Sequence, residues 1–123
     1  MQNFTGAIIE ESLSDKSVLD KVKIIKTKVD PVTERHQTPQ VNQWTLHTVE
    51  IDSGNAEKIA ELLSKSLEKA WYADYKNDEM VYIIFRDKIF KISRNNPSEF
   101  QEAKKYGVSL GIPEYQVNFS PEW

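Results

Sequence analysis

The chain has 123 residues, is 39% hydrophobic and 28% charged, and carries a net charge of -3, which fits one globular domain and speaks against general affinity for nucleic-acid phosphates. It contains no cysteine, so disulfide scaffolds, thiolate zinc sites and cysteine nucleophiles are excluded and a reducing compartment is the default. The opening stretch MQNFTGAIIEESLSDK has neither a basic segment nor a long apolar run; no signal peptide or membrane anchor is expected, and the expected location is the cytoplasm.

A first strand is expected from Gly6 to Ser12, followed by SLSDKSVLD, a polar stretch with one helical turn that Ser14 or Asp15 can cap. KVKIIKTKV, Lys21 to Val29, is a second strand, rich in β-branched residues and stopped by Asp30-Pro31. Strict alternation puts Lys21 and Lys23 on one face and Lys26 and Lys28 on the other. On that spacing the lysines make no single patch, and they suit an edge strand kept from pairing with other molecules. Residues 30–42, DPVTERHQTPQVN, show no periodicity. Loops of this length are often functional, and this one carries Arg35 and His36.

QWTLHTVEI, residues 43–51, alternates as a strand, with Trp44, Leu46, Thr48 and Glu50 on one face and Thr45, His47, Val49 and Ile51 on the other. His47 and Glu50 therefore point to opposite sides, and one ion cannot easily take both. The spacing of Ala56, Ile59, Ala60, Leu63, Leu67 and Ala70 predicts an amphipathic helix near 54–70, with Ser53 or Asn55 as its cap. Residues 71–95 read as three strands with turns near 77–79 and 87–88. An apolar face of Val81, Ile83, Phe85, Phe90 and Ile92 follows from a two-residue second loop, and an odd-numbered first turn adds Trp71, Ala73 and Tyr75 to it. The opposite face, with Tyr72, Asp74, Tyr82, Ile84, Arg86, Ile89 and Lys91, calls for cover by the tail, a second subunit or a ligand. A last helix is expected near 97–106, from an Asn96 cap and Pro97 to a stop at Gly107, before an apolar tail that must dock.

These elements add up to an α+β fold: an antiparallel sheet of about five or six strands with two helices packed on one face. Glycine-rich phosphate loops, nucleophile elbows and zinc-binding helices are absent from the sequence, so no cofactor and no metal site is implied. The only constellation with general acid-base potential is His47 with Asp74 or Glu50, joined by His36 from the long loop. Trp44, Arg35, Tyr72 and Arg86 are the candidates to line a ligand pocket beside it, although aromatic residues more often fill a core.

The segments DKSVLDKVKIIKTKV, QWTLHTVEI, WYADYKN, YIIFRDKIFKI and EAKKYGVSLGIPEYQ resemble a family of small bacterial and archaeal proteins of unknown function. The likeness spans nearly the whole chain and implies a free-standing domain, with no site residue to carry over. Two functional expectations remain. One is a non-catalytic binding or interaction module that self-associates through the sheet face around Tyr82 and Ile84, without nucleic acid or membrane. The other is a small enzyme or ligand-binding protein with its site between the 30–42 loop and the His47 strand.

Overall fold

The computed structural model describes residues 3–31, 43–68, 71–95 and 98–112. Six strands form one antiparallel sheet: β1 (Phe4–Ile9), β2 (Lys23–Pro31), β3 (Gln43–Ile51), β4 (Tyr72–Lys76), β5 (Met80–Phe85) and β6 (Lys88–Ser93). Their order across the sheet is β2-β3-β1-β4-β5-β6. Helices α1 (Ala56–Ser66) and α2 (Ser98–Ser109) complete the α+β architecture that the patterning calls for. Among the described residues no helix is long and apolar enough to cross a membrane.

β5 reads MVYIIF, and every residue from Val81 to Phe85 is buried. A strand apolar on both faces needs cover on both. On one side Ile59, Ala60 and Leu63 of α1 pack with Tyr82 and Ile84. On the other, Phe100 and Ala103 of α2 pack with Val81, Ile83 and Phe85. The helices therefore lie on opposite faces of the sheet, not together on one.

The β4–β5 turn explains the difference. Lys76 stands opposite Val81 and Tyr72 opposite Phe85, so an even number of residues joins paired positions. Ala73 and Tyr75 consequently share a face with Tyr82 and Ile84, under α1, where Trp71 joins them. Tyr72 and Asp74 fall on the α2 side. The β5–β6 hairpin keeps its expected apolar face, but its loop is Arg86-Asp87, one residue earlier than the expected 87–88, and Ile83 stands opposite Phe90. Asp87 takes φ 61 in that loop, a left-handed conformation that aspartate tolerates better than most side chains.

Element ends shift as well. β1 starts at Phe4 and gives way at Glu10–Ser12 to a 3-10 turn, and a second such turn, Lys16–Lys21, is capped by the Asp15 carboxylate, which accepts from the Ser17 N–H. α1 ends at Ser66, and Leu67 runs on in extended form to bridge Leu13. Its first turn is fixed by Tyr75, whose hydroxyl donates to the Ala56 carbonyl; burial pushes that phenol well above its ordinary range. α2 continues through the expected stop at Gly107 and closes at Gly111, φ 91, with the Ile112 N–H donating to the Gly107 carbonyl at 3.2 Å. Ile112 is buried in the α2 cluster. Asn96, Pro97 and the tail from residue 113 lie outside the described residues.

Gly6 sits between Val49 of β3 and Tyr75 of β4. A Cβ there would lie 2.0 Å from the Asp74 carbonyl oxygen and 2.5 Å from the Tyr75 Cα, both backbone atoms that cannot step aside without spreading the strands. Gly6→Ala is expected to destabilise the protein by roughly 3 kcal/mol, read as a lower urea midpoint. A loss below about 1 kcal/mol would show that β1 and β4 can separate freely.

Candidate functional site

Thr45 and His47 alternate onto the α1 side of β3 and are buried. Two acidic side chains from the 3-10 turn after β1 reach them. Glu11 takes the Thr45 N–H on one carboxylate oxygen at 2.6 Å and the Thr45 hydroxyl on the other at 2.7 Å. Burial alone would raise the Glu11 carboxyl, but these bonds, aided by Lys16, outweigh it and hold the group below its ordinary value. Glu10 Oε1 lies 3.1 Å from His47 Nε2, and Thr27 Oγ1 lies 2.9 Å from His47 Nδ1. A carboxylate only accepts, so Nε2 carries a proton, and in the neutral ring Nδ1 accepts from the Thr27 hydroxyl. The imidazole thus ties β2 to the turn after β1 across β3.

β2, the strand so tied, ends the order of the described strands on one side, as β6 does on the other. Every residue from Lys23 to Val29 is exposed. Lys23 stands opposite Glu50, Lys26 opposite Thr48 and Lys28 opposite Leu46, with a register shift between Ile24 and Lys26. That shift is a β-bulge at Ile25, and the extra residue reverses the alternation beyond it. Lys23, Lys26 and Lys28 therefore share one face, contrary to strict period-two spacing, while Ile24, Thr27 and Val29 share the other with His47. Lys23 Nζ lies 3.7 Å from Glu50 Oε1, an exposed pair of small energetic value. Three of the four exposed large apolar side chains among the described residues lie on this one strand: Ile24 at 41%, Ile25 at 55% and Val29 at 55%.

The residues singled out from sequence are not brought together. His47 and Glu50 do face opposite ways, as alternation requires. Asp74, however, stands opposite Ala7 and Ile83, on the Glu50 face, so it cannot pair with His47. Burial pushes its carboxyl up to about 7, against the pull of Lys76. Tyr72 packs on Phe85 with ring centres 6.1 Å apart, and Arg86 is exposed in the hairpin loop, 4.0 Å from Asp87. Trp44 is placed in β3 opposite Asp30; its side chain, together with Arg35 and His36, lies outside the described residues. Tyr82 and Ile84, expected on a self-association face, are 3% and 0% exposed beneath α1 and offer no surface to a second subunit. Glu10, Glu11, Thr27 and Thr45 escaped sequence reasoning; the signal was an acidic pair just after a strand and two threonines in strands that pair with each other.

A recess of about 530 Å³ opens between the start of α1 and the β4–β5 turn, lined among others by Ser53, Glu57, Asn77, Met80 and Lys91. Glu57 and Lys91 pair across it at 2.8 Å, which raises the lysine and lowers the carboxylate. Among the described residues no group of three or more His, Asp or Glu gathers as a metal site. Comparison with family models, curated proteins and solved structures finds no match for the chain.

Two outcomes are expected. Thr27→Val and His47→Ala each remove one half of a partly buried hydrogen bond, at a cost of roughly 1–3 kcal/mol. Because they break the same contact, the double variant should lose at least about 0.5 kcal/mol less than the sum of the single losses, and strict additivity in urea unfolding would sink the linkage. For Asp74, the folded protein keeps a proton between its unfolded value of 3.8 and about 7 that the unfolded chain has released. Its contribution to stability is full below about pH 4 and is lost as pH rises through about 7. Asp74→Asn should therefore stabilise the protein near pH 8 by roughly 3–4 kcal/mol relative to its effect near pH 4, and an equal effect at both would refute the shift.

Proposed function

We propose that this protein is a non-catalytic interaction module that binds a partner by adding the partner's strand to β2, which among the described strands pairs with β3 alone. The observation that carries this reading is the concentration of Ile24, Ile25 and Val29 on a nine-residue edge strand exposed over Lys23 to Val29. Edge strands present unpaired backbone donors and acceptors, and strand addition satisfies these while side chains on alternate sides provide selectivity. The clamp through Thr27, His47 and Glu10 supports the same reading, because it holds the edge strand in place for docking. An enzyme built on His47 has less support: both ring nitrogens are already engaged, and Asp74 stands on the other face.

The test is amide chemical-shift mapping with a panel of extended peptides of differing charge. At least one peptide is expected to shift the amides of residues 23–29, and Ile25→Lys combined with Val29→Lys should abolish the effect while changing stability by less than about 1 kcal/mol, since both side chains are exposed. Shifts confined to Ser53, Asn77 and Lys91 around the recess, or none with any peptide, would overturn the proposal.

A further inference from the structure

We infer that the strand β2 receives is an acidic, extended segment of another protein, with carboxylates alternating with branched apolar side chains. This rests on the strand-addition reading above and names the chemistry of the partner. The bulge at Ile25 sorts β2 into two sides: Lys23, Lys26 and Lys28 toward one face of the sheet, Ile24 and Val29 toward the other. A strand laid beside β2 continues both faces, and its own side chains alternate between them. Its residues beside the lysines meet positive charge and its residues beside Ile24 and Val29 meet apolar surface. Opposite charges directly across a ladder are favourable and like charges are not, so Glu or Asp at every second position, with Val or Ile between, is the complementary sequence.

A second copy of this chain does not fit the same edge. Antiparallel pairing of two β2 strands keeps like faces together and sets lysine against lysine. The whole chain is acidic, with a net charge of -3, so the basic strip is a local reversal rather than a sample of the overall surface. The same lysines repel basic strands and leave a neutral strand with only its backbone and apolar contacts. One feature thereby serves both to protect the edge and to choose its occupant.

The experiment titrates the full chain with three nine-residue synthetic peptides matched to the length of β2: alternating Glu and Val, Thr and Val, or Lys and Val. Amide shifts of residues 23–29 and fluorescence anisotropy are the readouts. The Glu/Val peptide is expected to bind about tenfold or more tighter than Thr/Val at low salt, with the advantage shrinking at about 0.5 M salt. Lys23→Glu with Lys26→Glu should transfer the preference to the Lys/Val peptide. Equal binding of Glu/Val and Thr/Val, both mapped to β2, would remove the charge selection and leave strand addition standing. Binding of none of the three would remove strand addition itself. Glu/Val shifts at lysine side chains with β2 amides unmoved would reveal a loose attraction for anions, and would overturn the partner assigned here.

Discussion

The burial of β5 on both faces is the constraint from which the rest of the molecule follows. Val81, Ile83, Ile84 and Phe85 are all wholly buried, and a strand of that composition is stable only between two layers. α1 closes one side with Ile59, Ala60 and Leu63, and α2 closes the other with Phe100 and Ala103. Aromatic rings knit each layer: Phe4 meets Tyr75 and Tyr82 edge-on beneath α1, and Tyr106 of α2 meets Phe85 and Phe90. Two helices cannot cover six strands evenly when both are drawn to the same pair. Cover therefore falls away from β5 toward the far edge, and at β2 none of the residues from Lys23 to Val29 is buried.

A strand so poorly covered draws little stability from apolar burial and must be held by its ladder and by specific polar bonds. The polar cluster on β3 meets that need. Glu11 fastens Thr45, and Glu10 fastens His47, which in turn holds Thr27 of β2. Each of these groups is partly buried with its partner in place, and among the described residues no buried side-chain donor or acceptor is left without a bond. The arrangement stabilises because every member is satisfied; a half-made version would be worse than an apolar substitute.

Most of the secondary structure was legible because its periodicities are strong. The stripe from Ala56 to Leu63, the alternation from Thr45 to Ile51 and the shared face of Val81, Ile83, Phe85, Phe90 and Ile92 all appear where the pattern puts them. What failed turned on parity. Whether Ala73 and Tyr75 join Val81 or Tyr82 depends on one residue in the β4–β5 turn, and sequence periodicity is blind to that count; a slip of one flips every side chain and sends α1 and α2 to opposite faces. The clamp was hidden for another reason. His47 finds its carboxylate 37 positions away in the chain, from a turn that interrupts what looked like a continuous strand to Ser12. Within β3 the separation of His47 from Glu50 was readable, since it depends only on local alternation.

The bulge at Ile25 shows how one inserted residue changes what a surface can recognise. Without it, Lys23 and Lys26 would project to opposite faces, each beside apolar neighbours, and either side of the edge would present mixed character. With it, the charged side chains lie together over Glu50 and Thr48, and Ile24 and Val29 lie together beside Val49 and Thr45. Lysine placed only to discourage pairing does so equally well from both faces, because its long stem and charge hinder an incoming strand from either side. Segregation adds something protection does not require: it gives the edge two chemically distinct sides, so that an incoming strand is accepted or refused according to its own alternation. The bulge also strengthens local twist, which narrows the set of strands able to follow the edge over its full length. Selectivity at β2 is thus a consequence of register, established by the same backbone pairing to β3 that the Thr27 and His47 bond secures.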